Sequence, residues 1–316
     1  MKITALAGGV GASKLLLGLS RAMPPADLTV IVNTGDDVEM HGLTICPDLD
    51  IVTYTLAGVV NSSTGWGIHG DTFATLEFLG RYARETWFNL GDRDLATHIH
   101  RSDMLRCGAT LSQCADSIRR ALAVETKILP MSDQPVHTQI ETEDGLLAFQ
   151  NYLVKHRAAP GVKRIHFDGA NAAKPAPGVL EAIAEADGIV ICPSNPLISI
   201  GPILAVNGIR AALGARKADV VIVSPIVGGV SLKGPSDKMM AELGFEVSAL
   251  GVARMMRDIV SQVIIDDADA ALQLEIEHLG LTVSVTRTIM LTDEDKERLA
   301  AHALISFREK ARRVPA

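Results

Sequence analysis

Short, continuously apolar segments alternate with helical patterns at both ends of this chain, and this alternation restricts the fold more than any other feature. The segments 3–7, 28–32, 189–191, 220–223 and 263–265 carry mostly hydrophobic residues at consecutive positions. Such runs are typical of strands that are covered on both faces of a parallel sheet. Helical patterns lie between them. The sequence therefore predicts the α/β class, with a Rossmann-like, doubly wound and mostly parallel sheet.

The middle of the chain has a different character, which divides the sequence into a core and an insertion. Residues 61–160 carry most of the aromatic and histidine residues, together with several helical patterns. Asp144 and Gly145 occupy the turn position of a hairpin-like passage in this part. We expect a nucleotide- or diphosphate-binding core formed by residues 1–60 and 161–316, interrupted by a mostly helical insertion over residues 61–160.

Composition excludes several classes of protein. A formal net charge of −7 argues against non-specific binding of nucleic acid, which requires a basic surface. No run of 18 apolar residues occurs, so we expect no transmembrane helix and no membrane partner. The four cysteines show no CxxC spacing, and we interpret them as free thiols of a cytoplasmic protein.

A glycine-rich loop lies between the first predicted strand and the first predicted helix. Gly9, Val10 and Gly11 can bring backbone amides close to a phosphate, and Lys14 adds a positive charge. The loop lacks the GxxxxGK spacing of a Walker A motif, and Lys14 replaces the third glycine of a dinucleotide fingerprint. The alternative interpretation is a tight turn followed by a solvated lysine.

Acidic residues follow the second predicted strand. Asn33, Asp36 and Asp37 come directly after it, and Asp48 and Asp50 follow about ten residues later. Ligands of doubly wound sheets collect outside the carboxyl ends of the strands, and Mg²⁺ is held by carboxylates together with phosphate oxygens. We therefore predict a magnesium site here. In the alternative, Asp36 accepts a ribose hydroxyl, Asp37 is a turn residue, and Asp48 is a helix N-cap.

Two loops after later strands supply further candidate ligand-binding groups. Ser194, Asn195, Ser199 and Gly201 lie in a proline-bounded segment that suits a rigid loop. The next strand ends in 224–229, which leads on to a Lys-Gly-Pro sequence at 233–235. Both loops are expected at the sheet edge that carries the glycine-rich loop.

Together, these motifs resemble the 2-phospho-lactate transferase family of coenzyme F-420 biosynthesis, called CofD in archaea and FbiA in actinobacteria. The similarity covers nearly the whole chain. It includes the GGVG loop, NTGDD, CPDLD, GWGI, LGDRDLATH, FQNYLV, PSNPLISIGPIL and SPIVGG, in that order. The resemblance implies a Rossmann-like core with an inserted helical domain, as a homodimer. It also implies transfer of a phospho-lactyl, phosphoenolpyruvyl or related group from a guanosine diphosphate ester to the ribityl hydroxyl of the deazaflavin Fo, with release of GMP.

The resemblance also implies roles for particular residues. Asp50 orients or deprotonates the attacking hydroxyl, and Asp37, Asp48 and Asp50 hold Mg²⁺. The glycine-loop amides hold the diphosphate, and the loop at 194–201 contacts the guanosine. The insertion covers the deazaflavin, with Asn89 beside it. The remaining residues assigned to substrate binding are Lys14, Asn33 and Asp36.

Two other functions are consistent with parts of the sequence. A non-enzymatic UDP-sugar-binding regulatory factor of the same superfamily shares the glycine-rich loop, but the CPDLD and GDRD segments argue against it. An NAD-dependent oxidoreductase is consistent with the near-GxGxxG loop, although no Tyr-Lys or His-carboxylate catalytic pair is evident.

Overall fold

The computed structural model describes the backbone of residues 1–313 and the side chains of residues 1–307; the end of the predicted core, residues 314–316, lies outside the described residues. The strands are β1 (Ile3–Ala7), β2 (Leu28–Val32), β3 (Val38–Met40), β4 (Leu43–Ile45), β5 (Lys127–Pro130), β6 (His137–Thr142), β7 (Gly145–Ala148), β8 (Arg164–Asp168), β9 (Gly188–Ile191), β10 (Val220–Val223), β11 (Ile226–Val227), β12 (Val230–Ser231), β13 (Gln262–Ile265) and β14 (Thr282–Val285).

The helices alternate with these strands along most of the chain. They are α1 (Gly9–Ala22), α2 (Pro47–Leu56), α3 (Ala74–Arg81), α4 (Asp92–Arg106), α5 (Leu111–Ala121), α6 (Val179–Glu185), α7 (Ile200–Ala205), α8 (Ile209–Ala215), α9 (Ser236–Glu242), α10 (Ala249–Met256), α11 (Gln273–Glu277) and α12 (Asp293–Arg313). Within the described residues, none of them is long and apolar enough to cross a membrane.

Seven parallel strands form the main sheet in the order β14-β13-β10-β9-β1-β2-β5. From β1 the chain extends the sheet through β2 to β5, then returns to β9 on the other side of β1 and continues outward to β14. This reversal between β1 and β9 is the topological switch point of a doubly wound sheet. The predicted α/β, Rossmann-like fold is confirmed.

Both faces of the main sheet are buried, which explains the continuous apolar runs of its strands. Leu6, Ile31 and Ile191 pack into one hydrophobic cluster, under α6–α11. Their neighbours Ala5 and Val190 face the other cluster, which contains residues of α1, α2, α5 and α12. Because consecutive side chains of a strand point to opposite faces, a strand covered by helices on both sides needs apolar residues throughout.

The segment 61–160 is not wholly helical. It contains α3, α4 and α5, but its strand β5 pairs with β2 at the edge of the main sheet. It also supplies β6 and β7, which form a hairpin that pairs with β8. The predicted hairpin is confirmed, and Gly145 has a φ of 120° directly after the turn. The sequence did not indicate β5, because a run of four residues that ends in proline carries little periodicity.

Helix α1 is fixed against α12 by a close backbone approach. A Cβ placed on Gly18 would lie 2.1 Å from the carbonyl oxygen of Lys296, so only glycine permits this packing. Helix α12 begins with a capping-box arrangement, because the Thr292 and Asp295 side chains each accept a hydrogen bond from the backbone amide of the other residue. These contacts hold the body of α1 and thereby position its N-terminus at the switch point.

Candidate active site

The N-terminus of α1 faces the loop that follows β9. Gly8 is the residue before the helix, and its amide donates to Oγ of Ser194 at 3.3 Å. A Cβ on Gly11 would lie 2.4 Å from the carbonyl oxygen of Pro193, so the two segments are in backbone contact. The amides of the first helical turn have no acceptors within the helix, and a helix N-terminus favours negative charge. This geometry is suited to an anion.

Asp48 occupies part of this N-terminus. Its buried carboxylate accepts hydrogen bonds from the Gly9 amide and, at 2.9 Å, from Nδ2 of Asn33. Burial raises the pKa of Asp48 to about 6, against the effect of these donors. The alternative that Asp48 is an N-cap is wrong, because α2 begins at Pro47 and Cys46 precedes it at the N-cap position.

Asp36 and Asp37 each have a buried carboxylate oxygen with no hydrogen-bond partner among the described residues. Burial raises the pKa of both side chains well above the ordinary value, and the charge of Asp48 raises both further. Clustered buried carboxylates are costly unless a cation compensates them. Oxygen donors of this kind are the ligands that Mg²⁺ prefers, so Asp36, Asp37 and Asp48 have the chemistry of a magnesium site, although their ligand atoms are not gathered within 4.8 Å of one another.

Asn33 connects the loops around this cluster. Besides Asp48, its amide nitrogen lies 3.4 Å from the carbonyl oxygen of Ile198, and its Oδ1 accepts from the Gly35 amide at 2.8 Å. The side chain is fully buried. Its hydrogen-bonding groups are therefore already used by the protein, which favours a positioning role over direct contact with a substrate.

Asp50 lies further along α2 and is held by a buried arginine. Both of its carboxylate oxygens accept hydrogen bonds from the Arg101 guanidinium, which is 1% exposed. Burial is the largest single influence on the pKa of Arg101 and lowers it, but the charge and hydrogen bond of Asp50, together with the charges of Cys46 and Asp37, raise this pKa overall. A carboxylate paired in this way is poorly available as a base, so the geometry favours a positioning role for Asp50.

Three side chains near Arg101 form a second cluster with metal-ligand chemistry. Oxygen or nitrogen atoms of Asp50, Asp94 and His98 all lie within 4.8 Å of one another, and Tyr54 donates to Asp94 at 2.8 Å. Among the residues whose side chains are described, this is the only set with ligand atoms gathered so closely, although Arg101 already binds both Asp50 oxygens. The sequence analysis selected none of Asp94, His98 and Arg101, although positions 94, 98 and 101 have the i, i+4, i+7 spacing of one helix face.

Two lysines lie near the start of α1. Lys14 donates to the carbonyl oxygen of Met290 at 2.9 Å, and burial followed by the charge of Lys233 lowers its pKa. Lys233, from the loop between β12 and α9, donates to the carbonyl oxygen of Thr64 at 3.3 Å. The sequence indicated the loop of Lys233 but did not select this residue.

The candidate residues in the loop after β9 contact different parts of the protein. Ser194 contacts Gly8, and a Cβ on Gly8 would lie 2.7 Å from Cβ of Ser199, so both serines adjoin the α1 N-terminus. Asn195 accepts from the amides of residues 197 and 198 and stabilises the loop itself. Gly201 adjoins Phe167, where a Cβ would lie 3.0 Å from the ring, and lines an apolar pocket there.

Asn89 is exposed in the loop that precedes α4. Its neighbours Trp87 and Phe88 pack against a small cluster that contains Leu90 and Leu95. None of the contacts described above links Asn89 to the α1 N-terminus.

The fold and this site define a class, the Rossmann-like α/β proteins with an anion-compatible helix N-terminus and buried carboxylates at the switch point. The chain belongs to the 2-phospho-L-lactate transferase CofD family, which its sequence matches over residues 3–299. It is therefore a transferase, and the predicted family is confirmed. Membership argues against the oxidoreductase alternative.

Named relatives cover nearly the whole chain. A phosphoenolpyruvate transferase of Streptomyces griseus is 44% identical over 99% of this chain and 100% of its own length. A 2-phospho-L-lactate transferase of Methanosarcina mazei is 40% identical over 95% of this chain and 98% of its own length. A solved structure from Bacillus halodurans, with 19% identity, covers 96% of this chain and 98% of its own with a TM-score of 0.62, which supports the fold alone.

Proposed function

We propose that this enzyme transfers a phospho-acid group from a guanosine diphosphate ester to the terminal ribityl hydroxyl of Fo, a step of coenzyme F-420 biosynthesis. One observation carries the proposal. In a chain that belongs to the CofD family, the start of α1 has the buried Asp48 carboxylate on its Gly9 amide, Lys233 beside Val10, and Lys14 within reach of the charge of Lys233. This combination supports a phosphorylated donor, because phosphate oxygens can accept from amides and ammonium groups and can share a cation with carboxylates.

The reaction requires positioning more than covalent participation by the protein. The acceptor hydroxyl oxygen forms a bond to the phosphorus next to the organic acid, and the bond from that phosphorus to the oxygen of GMP breaks. The hydroxyl proton is released, and GMP leaves with the bonding electrons. Transfers of this type are accelerated by alignment of the two oxygens and by stabilisation of the phosphoryl charge.

The residues of the α1 N-terminus perform the alignment in this proposal. The Gly9 amide is engaged by Asp48, so the diphosphate binds to the amides of Val10 and Gly11. Lys14 adds a positive charge on the same side. Ser194 and Ser199 adjoin Gly8 and contact the guanosine side of the donor.

Asp36, Asp37 and Asp48 are the residues that we propose to hold Mg²⁺. Bound there, the ion supplies positive charge to the phosphate oxygens. Asp50 and Arg101 keep α2 and α4 together and thereby fix Asp48 on the first turn of α2. Asp50 thus acts as a positioning residue in this proposal, in place of the base that the resemblance implies.

The insertion supplies an aromatic surface for the acceptor. Trp66, Phe73, Phe78 and Tyr82 are large side chains with 41–73% of their surface exposed. Exposed aromatic side chains can stack on a flat heterocycle. We propose that part of this surface, with Asn89, covers the deazaflavin.

The donor acid is lactate, enolpyruvate or a related acid, and the names of the relatives make the first two the leading candidates. The test is to incubate the enzyme with Fo, Mg²⁺ and each guanosine diphosphate ester in turn. Mass spectrometry of the product and chromatographic detection of GMP then identify the accepted donor. Absence of both products with every donor contradicts the proposal, and stabilisation by a UDP-sugar alone in a thermal shift supports the regulatory alternative.

We further propose that the enzyme is a cytoplasmic homodimer. All four cysteines are free, which supports a reducing compartment. Light scattering coupled to size-exclusion chromatography measures the oligomeric state, and a mass near 33.6 kDa contradicts the dimer.

A further inference from the structure

Lys233 brings the loop between β12 and α9 against the start of α1. A side chain at Gly65 would begin 2.9 Å from Nζ of Lys233 and 3.0 Å from Cγ1 of Val10. Gly65 has a φ of 79°, a conformation that favours glycine. Together with the hydrogen bond from Lys233 to the Thr64 carbonyl, these distances place the ammonium group beside the first turn of α1.

Neither Lys233 nor Lys14 forms an ion pair with a carboxylate in the part of the chain whose side chains are described. Each has instead a backbone carbonyl as acceptor. The two ammonium groups are close enough for the charge of Lys233 to lower the pKa of Lys14. The two ammonium groups repel each other, and the positive end of the helix repels both. This local concentration of positive charge occurs in a chain whose net charge is −7.

A bound anion relieves this repulsion. An ammonium group has three donor hydrogens, so Lys233 retains two after its bond to Thr64. The exposed position of Lys233 leaves these donors accessible to a ligand. A diphosphate carries several acceptor oxygens and can engage both lysines and the helix amides at once.

We propose that Lys233 is a donor-binding residue, whose ammonium group joins that of Lys14 in binding the diphosphate of the donor. This inference rests on the proposed function and adds to it a contact from a loop that follows β12. Because Lys233 also contacts Thr64, donor binding by Lys233 connects that loop with the segment 61–68. The ligand chemistry is that of a nucleoside diphosphate.

The test measures binding of GDP, inorganic pyrophosphate and guanosine by isothermal titration calorimetry. We expect Lys233→Gln to raise the Kd for GDP and for pyrophosphate about tenfold or more, because it removes a charge-assisted hydrogen bond. Lys233→Arg restores most of the affinity, and the guanosine Kd is unchanged. Lys163→Gln, at an exposed lysine paired with Glu143, is the matched control and leaves all three values unchanged.

The other results reject the inference, the proposed function or both, and they can be told apart. Equal GDP affinity of the wild type and Lys233→Gln removes the role of Lys233 but leaves the proposed function intact. A loss of guanosine affinity equal to the loss for GDP indicates a structural effect and rejects the diphosphate contact. If the wild type binds pyrophosphate but not GDP, and Lys233→Gln weakens pyrophosphate binding, the lysine contact stands and the guanosine donor is rejected. Failure of the wild type to bind either ligand rejects both.

Discussion

The Arg101 guanidinium binds both carboxylate oxygens of Asp50 in the protein interior. The two residues come from α4 and α2, so this pair joins the insertion to the helix that carries Asp48. A buried ion pair is weak evidence for net stability, but loss of one partner leaves a charge without compensation. Substitution of Asp50 should therefore affect the stability of the fold, whereas substitution of a free catalytic carboxylate would affect turnover.

We expect Asp50→Asn to lower the free energy of unfolding by roughly 3–5 kcal/mol, because Arg101 then remains buried without its counter-charge. If Asp50 were the base that the resemblance implies, this variant would instead keep its stability and lose turnover. Urea unfolding followed by circular dichroism measures the difference. Asp103→Asn, which removes the partner of exposed Arg106, is the control and should change stability by less than about 1 kcal/mol. Wild-type stability of Asp50→Asn contradicts the structural role.

We expect Asp36→Asn to abolish most of the stabilisation by Mg²⁺. The substitution removes a ligand oxygen, and it also removes one charge from the buried acidic cluster. The variant without metal should therefore unfold at an equal or higher temperature than the wild type without metal. Thermal unfolding with and without Mg²⁺ measures both effects, with exposed Glu143→Gln as control. A wild-type Mg²⁺ shift in Asp36→Asn would falsify the assignment of this residue.

We expect Gly11→Ala to destabilise the fold by roughly 1–3 kcal/mol, because the added methyl group overlaps the carbonyl oxygen of Pro193. Displacement of the loop after β9 should also raise the KM for the donor more than the KM for the acceptor. Gly161→Ala is the matched control, since a Cβ there meets no atom within 4 Å. Steady-state kinetics and urea unfolding check the two effects, and equal behaviour of the two variants contradicts the close approach.

His302 makes stability depend on pH. Burial lowers its pKa, and its Nε2 lies 2.6 Å from Oγ of Ser284. The folded state therefore favours the neutral ring. The contribution of His302 to the free energy of unfolding is constant above the ordinary histidine pKa of about 6.5. It is lost as the pH falls from about 6.5 through the lower pKa that His302 has in the folded state.

The measurement for this prediction is the melting temperature between pH 8 and pH 5. The wild type should lose more stability over this range than His302→Gln, in which no titrating ring remains. His278→Gln, at an exposed position, should keep the wild-type slope. Equal slopes for the wild type and His302→Gln would show that His302 does not titrate differently on unfolding.

The sequence predicted the sheet and the side of it that carries the site, because both follow from local patterns. Continuous apolar runs identified buried parallel strands, and residues that directly follow β1, β2 and β9 meet at one edge of the sheet. This rule brought together Gly8, Asn33 and Ser194 without knowledge of tertiary contacts.

Residues supplied from a distance could not be predicted in the same way. Arg101 reaches Asp50 from a separate helix 51 residues away, and Lys233 reaches the segment of Thr64 across 169 residues. The spacing of these residues in the sequence does not indicate that they are in contact in the fold. Asp48 was ambiguous for a local reason, since an aspartate after proline can be an N-cap or a first-turn residue, and only the folded backbone distinguishes the two.

The hydrogen bonds of Asp48 and Asn33 have a consequence for ligand recognition. Asp48 binds the amide after β1, Asn33 follows β2, and the Asn33 amide reaches the carbonyl of Ile198 in the loop after β9. Hydrogen bonds of the protein itself thus join three separate loops. The conformational entropy of these loops is lost when the protein folds and not when a ligand binds. Less of the free energy of the ligand contacts is then offset by ordering, so the affinity is higher.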